Sequence, residues 1–231
     1  MDSADDVSES DLGRDLIDSV DRLALEVEEV YRKLVLPTWG RELHGLPEAL
    51  YDYIMRVFAR IDLVSAHWRG TYKGGQTQRM VQFMDQYVCT NHEANSVAVQ
   101  MWRHELMHTA QPRYLRDPDT GTLYVWLLHW EEHLPQEQHF TFTTTAGIRT
   151  LNLGLVYLIR DLRRAVERYC TELSSKVGLH DAFREVEGEL EAYELRTIAS
   201  IHRESEKRRS RILKDDARKE RGPGLLHAGP R

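Results

Sequence analysis

The residues best suited to chemistry in this sequence lie in one six-residue segment, Arg103 to His108, which reads RHELMH. The segment combines arginine, histidine and glutamate, the side chains that move protons or offset charge in hydrolytic sites. Two spacings within it point to two kinds of chemistry, and they use different residues. The functional interpretation depends on which of the two spacings is used.

The first spacing is the zinc-protease pattern H-E-x-x-H, formed by His104, Glu105 and His108. Residues four apart share a helix face, so two imidazoles can bind one zinc ion while the glutamate acts as general base. A third ligand has to come from elsewhere. The downstream candidates are His129, Glu131, Glu132, His133 and His139. These candidates lie where we expect strand and turn, and Pro112 ends the motif helix early, so the pattern supports zinc only weakly.

The second spacing joins Arg103 to His108 across four residues, with the polar His104 directly after the arginine. In this respect the segment resembles the motif of the HEPN family, small helical domains in which such an arginine and histidine lie in a core helix. The resemblance covers six residues and their helical context. It implies metal-independent RNA cleavage, in a homodimer that brings two copies of the motif together, and a toxin or defence role.

Under this hypothesis Arg103, His108 and His104 are the catalytic candidates. His108 can exchange a proton with the ribose 2′-hydroxyl or the leaving oxygen, while Arg103 offsets the charge that develops on the phosphorane. His104 would hold the pair in place by hydrogen bonding. On a regular helix Arg103 and His108 point about 140° apart, so a long arginine side chain or a second subunit has to close the gap. Trp102 and Arg113 are the candidate substrate-binding residues beside the motif, Trp102 by stacking on a base.

Three interpretations of the segment therefore stay open. The first is a HEPN-like RNA endonuclease that needs no cofactor. The second is a non-catalytic helical module that binds a protein or nucleic-acid partner through the same surface. The third is a zinc-dependent hydrolase, with His104 and His108 as ligands and Glu105 as the base.

Composition narrows the class of protein without choosing among these interpretations. The chain has 231 residues and a net charge of −6, so any binding to RNA has to come from a local patch. It contains no run of 18 apolar residues, and its first ten residues are acidic, so we expect a cytoplasmic protein that does not enter a membrane. Cys89 and Cys170 are far apart and form no CxxC unit, which argues against a thiolate zinc site.

The pattern of apolar residues predicts a mainly α protein. We expect a disordered acidic terminus at 1–10 and a helical HEPN-like domain at 11–178, a bundle of about five core helices. Residues near 122–143 have high β-propensity on both sides of a polar connection, which predicts a small β-hairpin inserted before the last core helix. Residues 179–221 form a charged helical arm, and 222–231 a flexible tail.

The charged arm is the predicted partner surface. Between Arg203 and Arg221 nine basic residues lie among five acidic ones, for a net charge of +4. The interleaving of signs favours a solvated helical face, while a grip on RNA phosphates is the alternative. The apolar stripe of residues 181–220 is too thin for a lone helix, so we expect a protein partner there, such as an antitoxin.

Overall fold

The computed structural model describes residues 13–35, 46–106, 114–130 and 134–220. Within these ranges side chains are not described at 34–35, 46–49, 104–106, 193–199, 201 and 208–220. The described protein is mainly helical with a small mixed sheet, which confirms the predicted fold class at this level.

Helices form most of the described chain. Their bounds are α1 Arg14–Val30, α2 Leu46–Arg69, α3 Gln76–Tyr87, α4 His92–Gln100, α5 Leu155–Leu173 and α6 Val177–Glu220. Two π-helical segments, Tyr31–Val35 and Met101–Leu106, continue α1 and α4. A short 3-10 helix covers Gln136–Gln138.

The helices bury apolar stripes with helical spacing. In α1 the buried side chains are Leu16, Val20, Leu23 and Val27, spaced three and four residues apart, which is one face of a helix. The same spacing buries Leu155, Leu158, Ile159, Leu162, Val166 and Tyr169 of α5. α1, α2 and α3 all pack against α5, so α5 lies at the centre of the bundle.

The sheet contains four strands in the order β1-β2-β4-β3. Their bounds are β1 Leu115–Arg116, β2 Leu123–His129, β3 Thr141–Thr145 and β4 Ile148–Gly154. β2 pairs with β4 in parallel, and β3 pairs with β4 in antiparallel orientation. The predicted hairpin near 122–143 is therefore wrong in its pairing, because β4 lies between the two strands that the sequence suggested.

A tight turn explains the hairpin that does form, between β3 and β4. Ala146 and Gly147 connect these strands with φ angles of 49° and 80°. Positive φ at both central residues is the geometry that matches the right-handed twist of a two-residue hairpin. β4 then inserts between β3 and β2, and its residues Leu151 and Leu153 are fully buried.

The chain divides into two compact units, one ending at Val186 and the other beginning at Glu187. Phe183 and Val186 of α6 are buried in the first unit. The second unit consists of the remainder of α6 within the described residues. Among the described helices, none combines the length and apolarity required to cross a membrane.

Candidate functional site

The described part of the candidate motif, Arg103 to Leu106, lies in the π-helical segment Met101–Leu106 that continues α4. The backbone of this segment is described, but the side chains of His104 and Glu105 are not. His108 and Arg113 lie outside the described residues, as do Glu131 to His133. Arg103 is therefore the catalytic candidate whose side-chain geometry can be followed in detail.

α4 is firmly anchored at its start, which fixes the position of the motif. The side chain of Asn91 caps the helix by accepting a hydrogen bond from the backbone N–H of Ala94 at 3.1 Å. The buried Asn95 donates from Nδ2 to Asp85 Oδ1 at 2.8 Å and to the Cys89 carbonyl at 2.7 Å. These bonds tie the start of α4 to the end of α3.

The half-buried side chain of Arg103 reaches the beginning of α3. Its Nη1 donates a hydrogen bond to Thr77 Oγ1 at 2.6 Å. Thr77 is the second residue of α3, which begins immediately after the glycine pair Gly74-Gly75. In the described part of the chain, the hydrogen-bond partner of Arg103 is thus a neutral hydroxyl and not a carboxylate.

The start of α3 offers backbone donors beside this guanidinium group. Gly75 precedes the helix with φ 57° and supplies no side-chain cap. Gly74 has φ 68°, and a Cβ at either glycine would meet no atom within 4 Å, so it is the backbone conformation that favours glycine here. An N-terminus that no side chain caps directs N–H groups and a partial positive charge outwards, where an anion is stabilised.

An open cleft of about 550 Å³ lies at this helix start. Its lining residues are Tyr72, Gly74, Gly75, Gln76, Thr77, Gln78, Arg79 and Arg103. The volume is within the range of about 300–1,000 Å³ that small-molecule sites occupy. Arg103 and a helix N-terminus give the cleft a lining suited to an anionic group.

A buried ion pair holds the wall of the cleft. Arg79 Nη2 lies 2.6 Å from Asp62 Oδ1, and the side chains of Arg79 and Asp62 are only 5% and 12% exposed. Arg79 Nη1 also donates to the carbonyls of Tyr72 and Gly74, at 3.3 and 3.1 Å. Gln76 Nε2 donates to the other oxygen of Asp62 at 2.6 Å. The charge of Arg79 is therefore offset by Asp62, and its role is to fix the loop before α3.

An aromatic ring lies at the edge of the same cleft. Tyr72 is 42% exposed, and the guanidinium of Arg79 lies 5.6 Å from the centre of its ring. An exposed ring held by a neighbouring cation is a surface on which a nucleobase can stack. The sequence did not single out this tyrosine, which follows the end of α2 by three residues.

The proposed stacking role of Trp102 does not agree with the structure. Trp102 is 3% exposed and stacks on Phe58 with ring centres 5.9 Å apart. A base would have to open the hydrophobic core to reach it. The apolar residues that precede Arg103 face inwards because α4 is a core helix, so an adjacent position in sequence does not bring Trp102 to the cleft.

The described histidine candidates give no support to a zinc site. His139 is 6% exposed in its side chain, and its Nδ1 accepts the backbone N–H of Gly154 at 3.0 Å. Its Nε2 lies 3.3 Å from Asp161 Oδ2, at ion-pair distance but without the alignment of a hydrogen bond. Both ring nitrogens of His139 thus face partners. Among the described residues, no three His, Cys, Asp or Glu side chains converge as metal ligands would.

When the chain is compared with known proteins, it matches no family model, no curated sequence and no solved structure. The HEPN interpretation accordingly stays a prediction from the motif.

The residues that surround Arg103 in the cleft were not predicted from the sequence. Thr77, Asp62 and Arg79 belong to two other helices, and the Arg103–Thr77 contact joins residues 26 apart. One signal in the sequence is the glycine pair Gly74-Gly75 directly before α3. Glycines directly before a helix also indicate a helix N-terminus that a ligand can approach closely.

Proposed function

We propose that this protein is a HEPN-like, metal-independent RNA endonuclease in which Arg103 binds the scissile phosphate. The observation that carries the proposal is the position of Arg103, whose guanidinium meets the first turn of α3 in an open cleft. A guanidinium group and a helix N-terminus are two different donors that both prefer phosphate oxygens.

The charges around the cleft support a phosphodiester as the ligand. Arg79 is already neutralised by Asp62, whereas the partner of Arg103 is a hydroxyl group. A phosphate oxygen can replace this hydroxyl as acceptor and gains a charge-assisted hydrogen bond. The exposed ring of Tyr72 offers a stacking surface for the base of a bound nucleotide.

The π-helical winding of Met101–Leu106 is the described backbone at the start of the motif. In such a segment the hydrogen bonds join residues five apart instead of four, so residues at that spacing lie closer to one side than the roughly 140° of a regular α-helix allows. The proposal requires the same winding to continue to His108, which lies outside the described residues.

The proposed reaction assigns separate tasks to the two residues. The ribose 2′-hydroxyl attacks phosphorus, the bond to the 5′-oxygen breaks, and a cyclic phosphate and a 5′-hydroxyl are formed. Arg103 stays charged throughout, so it stabilises the phosphorane and cannot take the proton. His108 takes the proton from the 2′-hydroxyl or returns one to the leaving oxygen, and His104 positions the pair. The toxin or defence role and the homodimer belong to the same proposal through the HEPN resemblance.

Cleavage of a labelled single-stranded RNA by the purified protein in EDTA tests the proposal. We expect Arg103→Ala and His108→Ala to lose about 100-fold or more in rate, as is typical when a charge stabiliser or a general acid–base is removed. Glu105→Ala keeps its activity, because the glutamate has no role without zinc. Arg184→Ala, which removes an exposed arginine of α6 outside the cleft, is the matched control.

The outcomes distinguish the three interpretations of the motif. Stoichiometric zinc together with loss of activity in Glu105→Ala would establish the metal-dependent hydrolase instead. RNA binding that Arg103→Ala weakens, with no cleavage by the unaltered protein, would establish a non-catalytic binding module. Cleavage that survives both Arg103→Ala and His108→Ala would refute the motif as the active site.

A further inference from the structure

The strand β3 forms an outer edge of the sheet. The order β1-β2-β4-β3 places β4 on one side of β3, and no strand of the described chain lies on the other side. The ladder with β4 runs along the whole of Thr141–Thr145. Thr143, Thr144 and Thr145 are exposed. One side of β3 is therefore open to a further strand.

The pairing with β4 determines which backbone groups of β3 face this open side. The two-residue turn closes with Thr145 opposite Ile148, and the residues that close such a turn exchange both backbone hydrogen bonds. Hydrogen-bonded and non-hydrogen-bonded pairs alternate along the ladder, so Thr143 also bonds to β4, whereas Phe142 and Thr144 do not. The N–H and C=O groups of Phe142 and Thr144 therefore point away from β4, and they bond to no backbone group in the described part of the chain.

The open edge consists of these backbone groups of residues 142–144, and both of its ends are defined. At one end the carbonyl of Phe140 accepts a hydrogen bond from Asn91 Nδ2 at 3.2 Å. Phe140 has φ 55° and donates from its N–H to the Asn152 carbonyl at 2.9 Å, which forms a bulge where regular pairing stops. At the other end the chain turns into β4. The open edge is thus short and regular.

The open edge lacks the features that usually prevent strands from pairing. Proteins protect their edge strands with lysines or other charges and with prolines. Residues 138–148 contain no Asp, Glu, Lys, Arg or Pro, although 29% of the whole chain is charged. The next residue, Arg149, donates to Glu93 at 2.9 Å, so its charge is offset. A second copy of this strand can therefore approach without repulsion between like charges.

We propose that β3 is a self-association edge that pairs in antiparallel orientation with β3 of a second copy. A two-fold axis at Thr143 places Phe142 of each copy opposite Thr144 of the other. This register pairs all the open N–H and C=O groups of both copies in about four hydrogen bonds. An axis at Phe142 would instead set Thr144 opposite Phe140, whose carbonyl already has a donor. An axis at Thr144 would set Phe142 opposite the turn.

The same register is favourable for the side chains. The two copies of Thr143 would face each other in a non-hydrogen-bonded pair, where opposite side chains are closest. Threonine pairs stabilise such positions, and threonine and phenylalanine both have high β-propensity. An identical edge is complementary to itself under a two-fold axis, and the pair closes without leaving a further open edge on β3. A second copy of this chain therefore fits the edge.

The expected association is weak and depends little on charge. Two strands of five residues bury less than the roughly 1,600 Å² of a standard interface, so we expect a reversible dimer with a dissociation constant of about 10 μM. Because the edge is uncharged, about 0.5 M salt should change this constant by less than about threefold. The inference concerns assembly and holds whether or not the protein cleaves RNA.

Sedimentation equilibrium of the full chain between about 1 and 100 μM tests the association. Thr144→Pro removes an N–H group that faces away from β4, so it keeps the hairpin and should raise the dissociation constant at least about tenfold. Thr144→Val keeps this N–H group and is the matched control, which should dimerise like the unaltered protein. An unaltered protein that stays monomeric throughout this range overturns the proposal, and so does a dimer that dissociates in about 0.5 M salt.

Charges introduced at the axis give a second, independent measurement. Thr143→Lys and Thr143→Glu each bring like charges together and should give monomers, whereas an equimolar mixture of the two variants should form a heterodimer. Thr171→Lys makes the same change at an exposed position of α5 and should leave the dimer intact. Circular dichroism of each variant reports whether the fold is retained. A dimer that persists in Thr144→Pro and in both Thr143 variants refutes the edge as the interface.

Disulfide formation between introduced cysteines tests the register. In the proposed pair the two Thr143→Cys residues have Cα atoms about 4.5 Å apart, within the range of a disulfide, so oxidised glutathione should join the two copies. The two Thr145→Cys residues would lie about 14 Å apart and should stay unjoined. Equal crosslinking at both positions would indicate a parallel pair and would contradict the proposed arrangement. The unaltered chain, with Cys89 and Cys170 alone, gives the background.

Discussion

Replacement of Asp62 by asparagine is the sharpest test of how the cleft wall is held. The change keeps the side-chain volume but removes the charge that faces Arg79 at 2.6 Å. Both side chains are nearly buried, so the remaining guanidinium would be left without compensation. Loss of one partner of a buried pair costs about 3–5 kcal/mol. For a chain of this size, we expect the midpoint of thermal unfolding to fall by about 10 °C.

A double-mutant cycle with Arg79→Met separates the ion pair from other effects of the substitution. In the Arg79→Met background no buried cation remains, so Asp62→Asn should cost less than about 1 kcal/mol in urea unfolding. Glu26→Gln provides the control, because Glu26 pairs with Arg56 at the surface and should contribute less than about 1 kcal/mol. An equal cost of Asp62→Asn in both backgrounds would refute the ion-pair explanation.

Three further predictions concern the bundle. Gly13→Ala should lower the free energy of unfolding in urea by about 2–3 kcal/mol, because φ is 83° and a Cβ would lie 2.6 Å from Cys170 Sγ. Gly121→Ala is the control: its φ is also positive but the space around it is open, so it should cost only about 1 kcal/mol. Burial raises the pKa of Tyr87 from 10.0 to about 12. The protonated form therefore stabilises the fold below pH 10, and this contribution is lost as the pH rises towards 12. The free energy of unfolding of Tyr87→Phe should decrease less at alkaline pH than that of the unaltered protein. Burial raises the pKa of the Cys170 thiol to about 11 and also raises the pKa of Cys89. Because Cys170 is buried and Cys89 is only half-buried, mass spectrometry after iodoacetamide treatment at about pH 8 should find Cys89 modified first.

The helices could be predicted because their positions depend on local patterns. The apolar stripe of α1 and Pro47 in the first turn of α2 are visible within a few residues of sequence. In α5 the buried Leu155, Leu158, Leu162 and Val166 show the same local spacing. Apolar residues spaced three or four apart form one face of a helix, and this face packs against the core. The neighbouring sequence is therefore sufficient to predict the helix.

The sheet could not be predicted in the same way, because its pairing is not local. β2 and β4 both have apolar residues, and they pair directly in parallel register, with Leu123 opposite Ile148. In the sequence, however, β3 lies between them. A local pattern cannot state which of two later strands a given strand will join. β4 was also hidden by its position, since its last residues run directly into α5 and share its apolar character.

The candidate site, like the fold, could be predicted where it depends on neighbouring residues and not where it depends on residues distant in the sequence. The spacing of Arg103 and His108 was evident in the sequence, and it identified an arginine that the fold places in a cleft. The spacing could not reveal Thr77, which another helix supplies. Trp102 was predicted to bind substrate because it precedes Arg103 in the sequence. The sequence does not show that its side chain points into the core.

The two arginines of the cleft have different surroundings in the structure. Arg79 is clamped by a buried carboxylate and two backbone carbonyls, so a ligand would have to break strong, desolvated contacts to recruit it. Arg103 is positioned by the hydroxyl of Thr77, a neutral acceptor that exchanges readily for a phosphate oxygen. Under the proposed function, the ordering of its long side chain is partly complete before a phosphate binds, which lowers the entropic cost of binding. Arg103 would then serve the ligand and Arg79 the fold.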